Sequence, residues 1–123
     1  MDILNSEQAQ RLKEEQNIWL ATVRADGKPH LVPIWFVHID NSIFICVEPE
    51  SVKGRNIPKN AQVSLALEDG SQPLICEGTA KFIHGGIPSH INEHFKQKYD
   101  WDISTETRYT QLIEIIPIKW LYW

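Results

Sequence analysis

The stretch that decides the fold is residues 18–36, IWLATVRADGKPHLVPIWF. It begins with a run of branched and aromatic side chains typical of a β-strand, residues 18–24. The dipeptide Asp26-Gly27 follows, and it is the strongest short signal for a β-hairpin. Residues 31–39 form the predicted return strand. Pro33 lies inside that strand and has no N–H for a sheet ladder, so we expect the strand to lie at a sheet edge or to be bulged there.

Outward from this hairpin, the sequence predicts a mainly β protein with short helices. Four more apolar runs, separated by turn signals, are predicted strands: residues 43–48, 61–68, 74–84 and 112–123. Helices are expected after an Asn5 or Ser6 cap, after Ser51, and from a Ser89 cap to about Tyr99. Gly78 predicts a bulge or a close backbone approach, and residues 100–110 are polar and expected to be irregular. Six short strands favour a closed or nearly closed barrel, and we expect residues 1–123 to form one domain.

Composition and charge exclude several classes of function. Twelve basic and sixteen acidic side chains give a net charge of −4, whereas a general nucleic-acid binder needs a basic surface. No apolar run approaches the roughly 20 residues of a membrane helix, and the first residues have neither the basic nor the apolar region of a secretory signal. Cys46 and Cys76 lie in apolar segments, so we expect reduced, buried thiols in a cytoplasmic protein without a cysteine-based zinc site.

Residues 51–60, SVKGRNIPKN, are the first candidate for binding chemistry. They contain three basic side chains and no acidic one, although the chain is acidic. Ser51 can cap a helix, whose first N–H groups and dipole favour an anion. Lys53 and Arg55 add an ammonium and a guanidinium beside that point. The segment therefore predicts a cradle for a phosphate monoester; the alternative is a solvated basic turn, and spacing alone does not decide between them.

The strand segment around Pro33 is the second candidate. A proline inside a strand leaves backbone N–H and C=O groups free nearby, and these groups can hold a planar ring that Ile34 and Trp35 cover. From the residues alone, an edge-strand bulge with core aromatics is the favoured interpretation. The chain also has five tryptophans, more aromatic surface than a domain of this size readily buries, so we expect a ligand or a second subunit to cover part of it.

No catalytic residue is assigned from the sequence. It contains no nucleophile elbow, no phosphate-binding P-loop and no dinucleotide fingerprint. His90 and His94 share a face of the third predicted helix, but no third ligand is evident, so we favour a solvated helix face and predict no metal site. The sequence does not decide whether Glu77 is a paired carboxylate of the barrel or a contact to a ligand.

Taken in order, the segments WLATVRADGKPHLVPIWF, SVKGRNI, VSLALE and EGTA resemble the pyridoxamine 5′-phosphate oxidase-like superfamily of FMN-binding split barrels. The resemblance runs from about Ile18 to Ala80, with a weaker echo from Pro117 to Trp120, and the chain looks like a short, minimal member. It implies a six-stranded antiparallel split barrel that pairs as a homodimer, with FMN in a groove at the dimer interface.

The resemblance also implies which residues hold the cofactor. Position by position, the family's phosphate-binding segment matches Ser51, Lys53, Arg55 and Asn56. The strand that lines the isoalloxazine ring matches Pro33, Ile34 and Trp35, and the strand end beside the ring matches Val47 and Glu48. We further expect Trp120 or Trp123 to close the flavin pocket of the partner subunit.

The implied activity is that of an FMN-dependent oxidoreductase that transfers hydride through flavin N5. The oxidase that names the superfamily is longer and has substrate-binding residues in a C-terminal extension, so we do not expect the vitamin substrate here. Two alternatives stay open. One is a deazaflavin-dependent reductase, whose long acidic cofactor tail needs basic groups beyond Lys53 and Arg55; the nearby candidates in the sequence are Lys59 and Lys81, which slightly favours FMN. The other is a non-catalytic flavin- or haem-binding protein of the same fold, with His30, His38 or His84 as a haem ligand.

Overall fold

The computed structural model describes residues 4–123. Its helices are α1 (Ser6–Glu14), α2 (Val52–Lys59), α3 (Ser89–Tyr99) and a single 3-10 turn at Ile103–Thr105. Its strands are β1 (Ile18–Val23), β2 (Pro29–Ile34), β3 (Val37–Ile39), β4 (Ser42–Val47), β5 (Gln62–Leu67), β6 (Leu74–Phe82) and β7 (Gln111–Tyr122). Within the described residues, no helix combines the length and the apolar character needed to span a membrane.

The seven strands form one curled antiparallel sheet in the order β2-β1-β5-β6-β7-β4-β3. One face of the sheet covers the main core, which includes Leu20, Ile45, Leu65 and Ile113. A second cluster packs α3, through Phe95, against the β3–β4 end of the sheet. The predicted mainly β split barrel with short helices is confirmed, but the predicted number of six strands is wrong because the structure has seven.

The seventh strand arises because the predicted strand 31–39 is interrupted at Phe36. β2 leaves β1 after Ile34, and β3 joins β4 from Val37. Between them, the backbone N–H of Phe36 donates to the hydroxyl oxygen of Tyr99 at 2.9 Å. A side chain from α3 thus replaces the strand partner at the break, and the chain passes from one edge of the sheet to the other.

Replacing Tyr99 with phenylalanine is expected to lower the free energy of unfolding by about 1–3 kcal/mol, because the N–H of buried Phe36 would lose its acceptor. The Tyr99 hydroxyl also lies 2.7 Å from the carbonyl oxygen of Gln16, so the variant loosens the segment before β1 as well. Urea denaturation measures the difference. The matched control is Tyr122→Phe, at an exposed tyrosine near the end of β7. Equal stabilities of the two variants would contradict the bridging role of the Tyr99 hydroxyl.

Two local predictions in the sheet are confirmed. Among the strands of residues 4–123, β2 pairs with β1 alone and lies at the edge of the sheet, as Pro33 requires. The register of β6 against β7 shifts between Glu77 and Gly78, and a Cβ atom at Gly78 would lie 2.7 Å from the carbonyl oxygen of Ile116. Gly78 is therefore both a bulge and a point of close backbone approach.

Two of the three predicted helix caps are confirmed. Asn5 forms a capping box at the start of α1, and the Ser51 side chain caps α2. The predicted Ser89 cap is wrong, because Ser89 is already the first helical residue and the capping position holds Pro88, which makes no side-chain hydrogen bond. The predicted end of this helix at Tyr99 is confirmed.

The two cysteines differ in burial. Cys76 is buried as expected, whereas Cys46 is only half-buried and reaches the surface of a groove that Ile34 and Lys53 also line. Burial raises the pKa of each thiol to about 12. Both thiols are therefore protonated and weakly nucleophilic at neutral pH.

Candidate functional site

A groove of about 470 Å³ opens where the end of β2, helix α2 and the segment after α3 meet. It brings together four residues that the sequence predicts for cofactor binding: Pro33, Ile34, Trp35 and Lys53. The rest of its lining consists of Asn17, Cys46, Trp101, Glu106 and Tyr109. The two sequence candidates, a basic segment and a proline-containing strand, thus meet in one cavity.

Lys53 supplies a cation to this groove. Within residues 4–123 its ammonium group forms neither an ion pair nor a side-chain hydrogen bond. Burial lowers the pKa of Lys53, and the nearby carboxylate of Glu48 opposes that shift. A partly buried ammonium without a partner gains from an anionic ligand, because the ligand replaces the water that the lysine has lost.

Two further basic side chains lie beside Lys53. The Arg24 guanidinium Nη2 donates to Nδ1 of His30 at 3.2 Å. An arginine can only donate, so this imidazole carries its proton at Nε2. Burial, and then the charges of Arg24 and Lys53, lower the pKa of His30. The two cations, with the Nε2–H donor of neutral His30 beside them, therefore make this side of the groove electropositive.

The sequence interpretation did not include Arg24 or His30 in the phosphate site. The hairpin contains the signal that would have found them. Its two strands pair Thr22 with His30, which places the residues on either side of the turn close together.

The other predicted phosphate ligands on α2 are placed differently from Lys53. The Ser51 hydroxyl donates to the Glu48 carbonyl oxygen at 2.6 Å, and the Asn56 amide donates to the Thr22 hydroxyl at 3.0 Å. These bonds fasten α2 to the end of β4 and to β1. Arg55 is exposed. A role of these three residues as phosphate ligands stays a prediction.

Val47, Glu48 and Trp120 do not line the groove. Val47 is fully buried in the main core, and Glu48 forms an ion pair of 2.8 Å with Arg108. Trp120 is only 5% exposed and lies in the core of its own chain. Trp123, in contrast, is 80% exposed. Closure of a partner's pocket therefore stays a prediction that fits the exposure of Trp123 better than that of Trp120.

Aromatic rings form one wall of the groove. Trp35 is 47% exposed and stacks on Tyr99, with ring centroids 4.4 Å apart and planes inclined by 8°. Trp101 meets Trp35 edge-on at 5.9 Å, and Tyr109 meets Trp101 edge-on at 6.1 Å. The wall therefore offers the faces and edges of several fixed rings, and the half-exposed ring of Trp35 gives a planar ligand a flat surface.

Trp101, Glu106 and Tyr109 were missed by the sequence interpretation, which described residues 100–110 only as polar and irregular. The available signal was the presence of two aromatic residues in a mostly polar stretch directly after a helix.

The histidines and Glu77 do not form a metal site within the described residues. Residues 4–123 contain no cluster of three histidine, cysteine, aspartate or glutamate side chains able to hold a metal ion. His90 and His94 are exposed on α3, and Nδ1 of His94 lies 2.9 Å from the His90 carbonyl oxygen. Glu77 is exposed, and its backbone is in register with Lys119 across the sheet, but its carboxylate forms no ion pair among residues 4–123.

Comparisons with solved structures show that other proteins share this fold. A conserved hypothetical protein from Mycobacterium tuberculosis has 22% identity and a TM-score of 0.79, over 100% of this chain and 86% of that one. The haem storage protein HutZ from Vibrio cholerae has 18% identity and a TM-score of 0.80, over 98% and 95%. An F420 reductase has 20% identity and a TM-score of 0.70, over 96% and 98%. At these identities the likeness establishes the fold.

Sequence comparison is more specific about the family. No curated protein sequence gives a significant match. The sequence model described as pyridoxamine 5′-phosphate oxidase, however, matches residues 4–123, nearly the whole chain. Since that match spans the groove, the hairpin and every strand of the sheet, the chain belongs to the pyridoxamine 5′-phosphate oxidase family.

Proposed function

We propose that the chain is a flavoprotein that binds FMN in the groove and acts as an oxidoreductase by hydride transfer through flavin N5. The observation that carries this proposal is the meeting of Pro33, Ile34 and Trp35 with Lys53 in one groove of about 470 Å³. The flat ring of Trp35 and the Lys53 ammonium, which has no partner among residues 4–123, suit the two ends of FMN, a planar ring system and a phosphate monoester.

The chain's own residues then have distinct tasks. Lys53, with Arg24 and His30 beside it, attracts and holds the phosphate. The edge position of β2 leaves one side of its backbone without a strand partner in the described part of the chain. The side chains of Ile34 and Trp35 cover the ring and exclude water. The cofactor itself supplies the hydride chemistry when bound, so no protein nucleophile or metal is required.

The exposed apolar face of the sheet supports a homodimer. Trp19, Leu31, Ile116 and Ile118 are exposed on this face, Leu31 by 60% and Ile118 by 63%. Trp19 pairs directly with Pro33, so the face adjoins the groove. A second copy on this face would cover the apolar side chains and close the groove. Sedimentation equilibrium that gives the mass of one chain, 14.3 kDa, would contradict the dimer.

The two alternatives have weaker support in the structure. A deazaflavin tail would need basic groups beyond Lys53, Arg24 and Arg55, but Lys81 pairs with Glu114 at 3.5 Å and Lys59 is exposed at the far end of α2. For haem, His38 packs edge-on against Trp120 and His30 is bonded to Arg24. A cytoplasmic location agrees with two protonated free thiols and is part of the proposal.

The absorption spectrum of the purified chain, before and after addition of FMN, tests the proposed function. We expect the two visible flavin bands, either copurifying or restored by FMN, with a stoichiometry of one FMN per chain. A Soret band would support the haem alternative. If the chain is colourless and binds the deazaflavin F420 but not FMN, the proposed cofactor is a deazaflavin instead of FMN. Binding of neither cofactor would contradict the proposal.

A further inference from the structure

Three groove residues that no part of the flavin proposal uses lie together on the segment after α3. They are Trp101, Glu106 and Tyr109, and with Trp35 they form an aromatic box around one part of the groove. The planes of Trp35 and Trp101 are inclined by 75°, and those of Trp101 and Tyr109 by 86°. Because neighbouring rings are nearly at right angles, a ligand in the box can contact rings on more than one of its sides.

The walls of the aromatic box are fixed from behind. Trp35 stacks on Tyr99, and Trp101 meets the fully buried ring of Phe95 at 5.5 Å. The indole Nε1 of Trp101 donates to the Glu106 carboxylate at 2.8 Å. The rings and the carboxylate are therefore held in place before any ligand binds, which lowers the entropic cost of binding.

The carboxylate of Glu106 stays negatively charged inside this box. Hydrogen bonds, first from the Trp101 indole and then from backbone N–H groups, lower the pKa of Glu106. Its charge also reaches the groove surface, since it contributes, after burial, to the raised pKa of Cys46. Glu106 forms no ion pair among residues 4–123; the nearby Arg108 is paired with Glu48 instead.

A negative charge surrounded by ring faces attracts one class of ligand. Ring faces bind cations through the aromatic quadrupole, and they do so best when the cation is weakly hydrated. The guanidinium of Arg108, 5.4 Å above the ring of Tyr109, already shows this preference within the chain. We infer that the aromatic box of Trp35, Trp101, Tyr109 and Glu106 binds a planar organic cation of the N-alkylpyridinium type.

This inference rests on the proposed function in one respect only. The cofactor would occupy the Pro33 and Lys53 part of the groove, and the box would hold a second ligand in the same groove. The box can be tested without the cofactor.

The test uses the 1-methylnicotinamide cation and uncharged nicotinamide, a pair that differs in charge and one methyl group. Each is titrated into the full chain, with and without FMN, while the NMR resonance of the Trp101 indole N–H is followed. We expect saturable binding of the cation with a Kd on the order of 1–10 mM and binding of nicotinamide roughly tenfold weaker.

The decisive variant is Glu106→Gln, which removes the charge and keeps an oxygen acceptor for Trp101. We expect it to weaken cation binding about tenfold and to leave nicotinamide binding unchanged. The control is Glu93→Gln, at an exposed carboxylate on α3. Tyr109→Leu, at an exposed ring, gives a second variant in case Glu106→Gln disturbs the segment.

Three results would overturn the inference: equal affinities for the cation and nicotinamide, wild-type affinity of Glu106→Gln for the cation, or no saturable shift of the Trp101 resonance. Failure of the chain to bind FMN would contradict the proposed function alone. Cation binding that depends on Glu106 would still establish the box in that case.

Discussion

Replacing Lys53 with methionine is expected to weaken FMN binding by on the order of tenfold to a hundredfold while the fold stays intact. The lysine ammonium faces the groove without a partner among the described residues, and one charge-assisted contact to a phosphate is of this magnitude. Methionine keeps most of the apolar stem. Because the variant removes a partly buried, unpaired charge, its stability should not fall. Quenching of FMN fluorescence measures the affinity, and thermal denaturation measures the stability.

The matched control for this prediction is Lys59→Met, an exposed lysine at the other end of the same helix. It removes the same charge from α2 and should leave the affinity for FMN within about twofold. Equal losses at Lys53 and Lys59 would indicate a general charge effect rather than a phosphate contact. Arg55→Met then reports whether the exposed guanidinium contributes, as its place in the sequence predicts.

The parts of the fold that were predictable depend on local chemistry. Asp26-Gly27 determines a hairpin through the backbone conformation that Gly27 adopts at φ 89°, and Pro33 requires a sheet edge because it lacks an N–H. The seventh strand was not predictable in this way. The break at Phe36 depends on the hydroxyl of Tyr99, which lies 63 residues later in the chain.

The candidate site likewise contains residues that local sequence chemistry predicts and residues that only tertiary packing places there. Lys53 and the Pro33 segment were identified because each lies in a short stretch with its own chemical signal. Asn56 is three residues after Lys53 on the same short helix, yet its amide binds Thr22 in the interior. Only the packing of α2 on β1 decides which of these two side chains faces the groove.

The aromatic box shows the limit of sequence interpretation most clearly. Trp101 and Tyr109 come from an irregular segment, and Trp35 comes from the break between two strands. Irregular backbone has no hydrophobic period from which to infer the direction of a side chain. Their convergence follows from tertiary contacts, above all the stacking of Trp35 on Tyr99.

Replacing Gly54 with alanine is expected to lower the free energy of unfolding by about 1–3 kcal/mol and to reduce FMN binding with it. A Cβ atom at this position would lie 2.5 Å from the carbonyl oxygen of Glu48 and 2.6 Å from that of Pro49. Both atoms belong to the backbone, so the first turn of α2 has to move away from the end of β4. That movement breaks the bond from Ser51 to Glu48 and shifts Lys53 relative to the groove.

Whether Gly54→Ala lowers or raises the free energy of unfolding distinguishes a steric clash from the effect of helix propensity. In an open helix interior, glycine to alanine stabilises by roughly 0.8–1.0 kcal/mol, so propensity alone predicts a more stable variant at Gly54. The control is Gly70→Ala, in the turn between β5 and β6, where an added Cβ would meet no heavy atom within 4 Å. We expect that variant to stay within about 0.5 kcal/mol of the wild type. If urea denaturation showed Gly54→Ala to be the more stable variant, the close approach of α2 to β4 would be wrong, and with it the placement of Lys53 at the groove.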